Sequence, residues 1–371
     1  MTAKKINFTY MKTFIQRFFL VVTPVLIIVS FVNYFGDAAN IFKKDYEKNI
    51  ANNILKGNNV TNIANHNERL LQKYLINNAP FCPDVLVLGA SRSMLISSTY
   101  FKGETFFNNC VSGATIEDLI AIVEIYRQKK CLPKKIIIGV EPYFLNSNNN
   151  EKKWETLELE YQTFVNQMAD NSLKKENNLI FKTQVFFKKA FVFKELFSPS
   201  YFKSSVLELV MSKNRAPFVT DKIANKMFTK LSDGSVNYDL GYREASNETV
   251  EEKVSSFLAR DISKFENFDK LDISLQSKFI SLIDYLLLNN VKVEFFVAPY
   301  HPRVYEFITH TAKYKNVIKS EAFFESLAVK KQIKIIGSSD PNKFNLDKTY
   351  FYDALHLKEK GVGEFFKSVE E

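Results

Sequence analysis

The sequence predicts an α/β domain built on a mostly parallel sheet with helices on both faces. Three observations carry this reading. Short apolar runs of strand length alternate with longer segments of helical periodicity. The strongest runs, DVLVL, KIIIGV and VKVEFFVA, are continuously apolar or nearly so, as strands covered on both faces are. The segments between them repeat apolar residues every three or four positions, as helices packed on one side do.

The elements follow in order. Asp84 to Leu88 is a buried strand closed by Gly89. Thr105 to Phe107 is a weaker strand, and Ile116 to Lys129 has helical periodicity. Lys135 to Val140 is a second strong strand. Residues 272 to 290 form a helix through Ile273, Leu275, Phe279, Ile280, Ile283 and Leu286. Val291 to Ala298 is a strand, a helix runs to about residue 330, Ile333 to Ile336 is the last strand, and a final helix starts near 358. Right-handed crossovers turn this alternation into a flavodoxin-like three-layer sandwich, whose ligands bind at the C-terminal ends of the strands.

Between about 146 and 270 the alternation stops. The run NSNNNEKK opens this stretch, the aromatic and basic run FKTQVFFKKAFVFKELF follows, and Asp233-Gly234-Ser235 marks a turn. The stretch is too long for a simple crossover and reads as a mainly helical insertion between the third and fourth strands. Its aromatic stripes fit a core, and its basic aromatic helices also fit a membrane surface.

Phe18 to Phe35 carries no charge, and this run at 1.5 Å per residue covers roughly 27 Å, close to the apolar thickness of a bilayer. Lys4, Lys5, Lys12 and Arg17 precede it, which places the N-terminus in the cytoplasm and everything after Gly36 outside. A cleaved signal peptide is the rival. The apolar run is long for one, and no A-x-A site follows at once, only the weak imitation Asp37-Ala38-Ala39. The expected organisation is a cytoplasmic tail (1–17), an anchor (18–36), a helical neck (37–80), an α/β domain (81–145 and 271–371) and the insertion (146–270).

The formal net charge is +9 over 371 residues. Such a charge fits attraction to an anionic membrane surface or acidic polymer; lysines spread along the chain among acidic residues also describe a solvated surface, and no basic helix, zinc-finger spacing or RNA-binding signature points to nucleic acid. The three cysteines fit no metal-ligand spacing, and no cofactor is implied. Cys82 and Cys131 each stand just before a strand. If those strands are parallel neighbours the sulfurs share a sheet edge, where an exported domain lets them oxidise. Two reduced thiols fit the sequence as well. Cys110 is left as a small apolar residue.

Three motifs fall where strands end. Gly89-Ala90-Ser91-Arg92-Ser93 follows the first strand, and its small residues let the chain turn sharply to present Ser91. Asn108-Asn109-Cys110-Val111-Ser112-Gly113-Ala114 follows the second, and Gly113 lets backbone approach a substrate closely. Tyr352-Asp353-Ala354-Leu355-His356 precedes the last helix, and Asp and His three apart can meet in a turn. The carboxylate then fixes the imidazole tautomer, and the other nitrogen is free to deprotonate a serine. Taken singly, each motif also fits a plain turn.

Taken together, these segments resemble the SGNH/GDSL hydrolase superfamily over roughly 84–145 and 272–370. Gly89-Ala90-Ser91 resembles the nucleophile block, Gly113 the oxyanion glycine, and Asp353 with His356 the final Asp-x-x-His. The resemblance implies strand order 2-1-3-4-5, which makes the strands after Cys82 and Cys131 neighbours. It further implies an acyl-enzyme on Ser91, with oxyanion contacts from Ser91 and Gly113 and help from Asn109 or Arg92. The sequence departs from the family at Gly139-Val140-Glu141-Pro142, where an Asn donor is usual; an ionised Glu141 cannot donate. The closer similarity is to membrane-anchored members acting with surface-polysaccharide O-acylation systems, such as teichoic-acid D-alanyl transfer and alginate O-acetylation proteins. Shared features are the single N-terminal anchor, the Glu-Pro after strand three, and Phe296-Val297-Ala298-Pro299-Tyr300-His301-Pro302 after strand four. This similarity implies a polysaccharide substrate, an acetyl or other acyl group, and a multi-pass membrane acyltransferase as donor partner. Arg92, Glu141, Tyr300 and His301 are then expected to line the substrate groove, with His301 also a rival base. A non-catalytic glycan-binding or assembly protein on the same frame is the alternative. His66 and His310 are expected at the surface.

Overall fold

The computed structural model describes residues 8–38, 41–42, 45–168, 193–211, 217–220, 226–262 and 264–366. The expected helical run over 181–192, and Lys4 and Lys5 before the apolar helix, lie outside these residues. Nine strands are numbered in chain order among the described residues. They are β1 (Asn59–Thr61), β2 (Val85–Leu88), β3 (Phe106–Asn108), β4 (Lys135–Gly139), β5 (Phe218–Thr220), β6 (Thr229–Lys230), β7 (Val236–Asn237), β8 (Lys292–Val297) and β9 (Lys334–Gly337).

Five of them form one sheet in the order β3-β2-β4-β8-β9, every pair parallel. Counted within this sheet alone, the order is 2-1-3-4-5, the doubly wound arrangement that the resemblance implies. Register puts Leu88 beside Ile138 and Gly139 beside Phe296, so β2, β4 and β8 end close together. Because side chains alternate along a strand, each strand feeds two cores. Leu86, Leu88, Ile136, Ile138 and Phe295 point to one face, packed with residues of helices Ile116–Gln128, Ile273–Leu288 and Lys315–Lys331. Val85, Val87, Ile137, Phe296 and Ile336 point to the other, packed with Phe351 and helix Glu359–Phe366. Each fully buried aliphatic side chain contributes roughly 1.5–3 kcal/mol.

The single helix expected between 298 and 330 is two, Pro302–His310 and Lys315–Lys331, separated by a short 3-10 turn at Ala312–Tyr314. The region expected as a separate neck is also different. It holds helices Tyr46–Leu55 and Glu68–Asn78 with β1 between them. The second of these helices packs on Ile116–Gln128, because the buried Arg69 guanidinium grips both Asp118 carboxylate oxygens at 3.0 and 2.9 Å. The insertion contributes helices, among them Glu158–Met168 and Asn247–Leu258, and also three short strands that join β1 in a second sheet, β5-β1-β6-β7. These strands are only two or three residues long, too short to register as a pattern in sequence.

The chain divides into two units. Glu47–Ile63, Asn67–Met168 and Pro217–Glu371 carry both sheets. The other unit spans Met1–Tyr46, Ala64–His66 and Ala169–Ala216. Its main element is helix Phe8–Gly36, of which Tyr10–Gly36, 27 residues, is long and apolar enough to cross a membrane. At the C-terminal end of this helix the buried Asn33 amide donates to the carbonyls of Glu195, Leu196 and Ser198 at 2.9, 2.9 and 3.1 Å. The Asp37 carboxylate accepts from the Tyr201 hydroxyl at 2.8 Å.

Cys82 and Cys131 are disulfide-bonded, with Cα atoms 5.4 Å apart. They tie the segments entering β2 and β4 at the N-terminal edge of the sheet. Replacing both by Ala is expected to lower stability by about 2–4 kcal/mol, the usual contribution of a native bridge. Urea unfolding of the full chain in detergent measures this, and an unchanged midpoint would contradict a structural role for the bridge.

Candidate active site

Ser91 opens a 3-10 turn, Ser91–Ser93, three residues beyond the end of β2. The chain turns there because Gly89 has φ of 150° and lies against the Gly139 backbone. A Cβ on Gly89 would sit 3.0 Å from the Gly139 carbonyl oxygen. The buried Asn108 amide braces the turn, donating to the carbonyls of Ser93 and Ile96 at 2.9 and 2.8 Å.

The base reaches the same edge from the far end of the chain. Asp353 Oδ1 accepts the backbone N–H groups of Leu355 and His356 at 2.7 and 2.8 Å, folding Asp-x-x-His into a tight turn. A backbone bridge between Phe351 and Leu357 closes the loop. In this turn His356 Nδ1 lies 2.9 Å from Asp353 Oδ2, and His356 Nε2 lies 2.9 Å from Ser91 Oγ. With Nδ1 donating to the carboxylate, Nε2 is the lone-pair nitrogen, to which the Ser91 hydroxyl donates. The hydroxyl of Tyr242, from the insertion, donates to Asp353 Oδ2 at 2.7 Å. Burial pushes the Asp353 carboxyl up. The hydrogen bond and charge of His356, the Leu355 N–H and the Tyr242 hydroxyl outweigh it and hold the group well below the ordinary carboxylate range. Burial, then the Asp353 charge, push the Tyr242 hydroxyl up, so Tyr242 stays a donor.

Gly113 lines a cavity of about 190 Å3 together with Ser91, Arg92, Glu141, Tyr300 and Leu355. Its φ of +60° favours glycine. Arg69 holds the loop by donating to the carbonyls of Ser112 and Gly113 at 2.9 and 3.4 Å. Among the described residues, no acceptor takes the N–H of Ser91 or of Gly113, so both are available to a ligand oxygen.

Arg92 and Glu141 line the cavity, but they are bound to the protein. Their side chains pair at 3.0 Å, both nearly fully buried. Arg92 also donates to the Leu355 carbonyl at 3.3 Å and to the Ala298 carbonyl, and its guanidinium lies 4.1 Å from the Tyr300 ring centroid. Tyr300 therefore borders the cavity as the platform under Arg92.

Two expected site residues are displaced. Asn109 is fully buried away from the cavity. Its amide donates to Gln72, its carbonyl oxygen accepts from the Tyr126 hydroxyl at 2.7 Å, and it does not line the cavity beside Ser91. The neighbour Asn108 holds the turn instead, because alternation along β3 sends the two side chains to opposite faces. His301 is 1% exposed and does not line the cavity. Its Nδ1 accepts the Arg303 N–H and caps helix Pro302–His310, while its backbone N–H donates to the Ala354 carbonyl at 3.3 Å. It supports the base-bearing turn, and burial pushes its pKa down. His310 is exposed and His66 half-buried.

Three residues of the site carry no signal in the sequence. Tyr242 and Lys264, the latter lining the cavity, lie deep in the insertion, and Glu151, paired with Lys264, lies in the run NSNNNEKK that opens it. Among the described residues, no group of three or more His, Cys, Asp and Glu side chains is placed to hold a metal ion. No family model and no curated protein matches this chain.

Removing one member of the buried Arg92–Glu141 pair leaves an uncompensated charge. Glu141→Ala is expected to lower stability by about 3–5 kcal/mol. The double variant Arg92→Met, Glu141→Leu is expected to recover part of that loss. Denaturant midpoints compare the three proteins, and a double variant no more stable than Glu141→Ala would show that the charge imbalance is not the cause.

Proposed function

We propose that this chain is a membrane-anchored serine esterase or O-acyltransferase that works through an acyl-enzyme on Ser91. One observation carries the reading: Ser91 Oγ, His356 and Asp353 form a continuous hydrogen-bonded relay with both links at 2.9 Å. Ser91 Oγ attacks the acyl carbonyl while its proton passes to His356 Nε2. The imidazolium, stabilised by Asp353, returns that proton to the departing oxygen. Water or an acceptor hydroxyl then attacks the acyl-serine, His356 takes its proton, and Ser91 Oγ recovers it. The N–H groups of Ser91 and Gly113 meet the oxyanion.

The cavity volume supports a short acyl group. The cavity of about 190 Å3 beside Ser91 has room for a short acyl group such as acetyl. A more open cavity of about 400 Å3 lies on the other side of Leu355, lined by Tyr242, Glu252, Lys253, Arg260 and Asp353. Its polar and aromatic lining suits a polyhydroxylated acceptor. A cell-surface polysaccharide as that acceptor, and a multi-pass membrane acyltransferase as the acyl source, rest on the sequence resemblance. The alternative, a glycan-binding protein without turnover, is favoured by one feature: Glu141 stands where an amide donor is usual, and it is committed to Arg92.

The anchor follows from helix Phe8–Gly36. Lys12 and Arg17 on its N-terminal side, with Lys4 and Lys5 before them, favour a cytoplasmic N-terminus and an external catalytic unit. The Cys82–Cys131 bridge supports an oxidising compartment.

A fluorophosphonate probe is expected to label the full chain in detergent. Ser91→Ala abolishes labelling, and Asp353→Asn slows turnover of a short-chain ester by about 10³–10⁴-fold, as expected for loss of the correct imidazole tautomer. Labelling that survives Ser91→Ala overturns the assignment. For topology, alkaline phosphatase fused after residue 60 is expected to be active in cells. An inactive fusion, with an active one before residue 10, would reverse the orientation.

A further inference from the structure

The site has two backbone donors for an oxyanion, and the residue that replaces the usual third donor is an anion bound to Arg92. The insertion brings a cation to the opposite wall of the same cavity. Lys264 lines that cavity together with Ser91 and Gly113, and its side chain is 19% exposed. Its ammonium occupies the space beside the Gly113 Cα. A Cβ built on Gly113 would lie 2.3 Å from Lys264 Nζ and 2.8 Å from Glu151 Oε2. The glycine at 113 is thus required twice, by its positive φ and by the ion pair resting on it.

Lys264 is held in place. Its backbone has φ of 72°, and its carbonyl accepts the Asn146 amide at 2.8 Å. Its Nζ lies 4.5 Å from the Tyr143 ring centroid and 3.2 Å from Glu151 Oε2. Glu151 is fixed as well: its backbone N–H donates to Asn149 Oδ1 at 2.9 Å, and its carboxylate accepts the Lys153 N–H at 3.2 Å. Burial pushes the Glu151 carboxyl up, but the Lys153 N–H and the Lys264 charge hold it below its ordinary value. A lysine desolvated on a tyrosine face and oriented by a fixed carboxylate needs no reorganisation when negative charge appears beside it.

We propose that Lys264 supplies the third, cationic contact to the substrate carbonyl oxygen as it becomes an oxyanion, in place of the side-chain amide that Glu141 displaces. Glu151 positions the ammonium, and Gly113 leaves the space for it. This rests on the reading of Ser91 as nucleophile. It assigns the mainly helical insertion a direct part in the chemistry, in addition to the support that Tyr242 gives Asp353.

The test is chemical rescue on the full chain in detergent, with p-nitrophenyl acetate as substrate and a fluorophosphonate as active-site titrant. Lys264→Cys is expected to lower kcat by about 10²-fold, the usual effect of losing one oxyanion donor, with little change in KM. Treating that variant with a methanethiosulfonate reagent carrying an aminoethyl group restores an ammonium, one bond further from Cβ than in lysine. It is expected to return most of kcat, whereas the uncharged methyl reagent is not. Lys264→Met provides a second variant and is expected to lose activity to the same extent while labelling Ser91 more slowly. Wild-type kcat in Lys264→Cys or Lys264→Met, or equal rescue by both reagents, overturns the role of Lys264. If the wild type neither labels nor turns over, the Ser91 reading fails first and takes this inference with it.

Discussion

The buried guanidinium of Arg92 is the point on which the site is assembled. Arg92 directly follows Ser91. From one side chain it reaches Glu141 beyond β4, the Ala298 carbonyl beyond β8 and the Leu355 carbonyl inside the base-bearing turn, with the Tyr300 ring against its face. The ends of β2, β4 and β8 and the Asp353–His356 loop are thereby referred to one rigid planar group. A planar fork with five N–H donors suits that task, and a lysine does not. Taking the charge out of water costs several kcal/mol, which the Glu141 carboxylate and the surrounding carbonyls offset. What this arrangement secures is geometry: Ser91 and His356 are 265 residues apart in sequence and within hydrogen-bond distance in space.

The same commitment bears on the proposed oxyanion contacts. Glu141 serves Arg92 and so has no hydrogen to offer a substrate. The parallel sheet supplies the Ser91 turn, and the loop after β3 supplies Gly113, held from behind by Arg69 and Asp118. The remaining polar contacts come from the insertion: Tyr242 on the carboxylate of the relay and Lys264 beside Gly113. The α/β frame sets the positions of Ser91 and His356, and the insertion shapes and charges the cavity around them.

Much of the frame was legible in the sequence because parallel strands buried on both faces read as continuous apolar runs, as Val85–Leu88 and Lys135–Gly139 do. Ser91, Gly113, Asp353 and His356 could be placed at one edge because the topology of such sheets brings strand ends together. What could not be read was anything decided by side-chain direction or distant pairing. Asn108 and Asn109 are adjacent and chemically identical, and only the pleat decides that one braces the nucleophile turn while the other meets Gln72 and Tyr126. His301 looked like a groove residue from its place after β8, yet its ring caps the helix that follows. Tyr242, Lys264 and Glu151 have no local pattern, since their partners lie more than 100 residues away in sequence. The short strands β5, β6 and β7 exist only by pairing with β1 and with each other.

The central claim is that Ser91 carries a covalent acyl intermediate. Rapid mixing of the full chain with p-nitrophenyl acetate, followed by acid quench and peptide mass spectrometry, tests it directly. The account predicts a burst of p-nitrophenolate matched to the amount of protein, with the acetyl group found on the peptide containing Ser91. A linear time course without a burst, and acetyl groups scattered over surface lysines with none on Ser91, would contradict it.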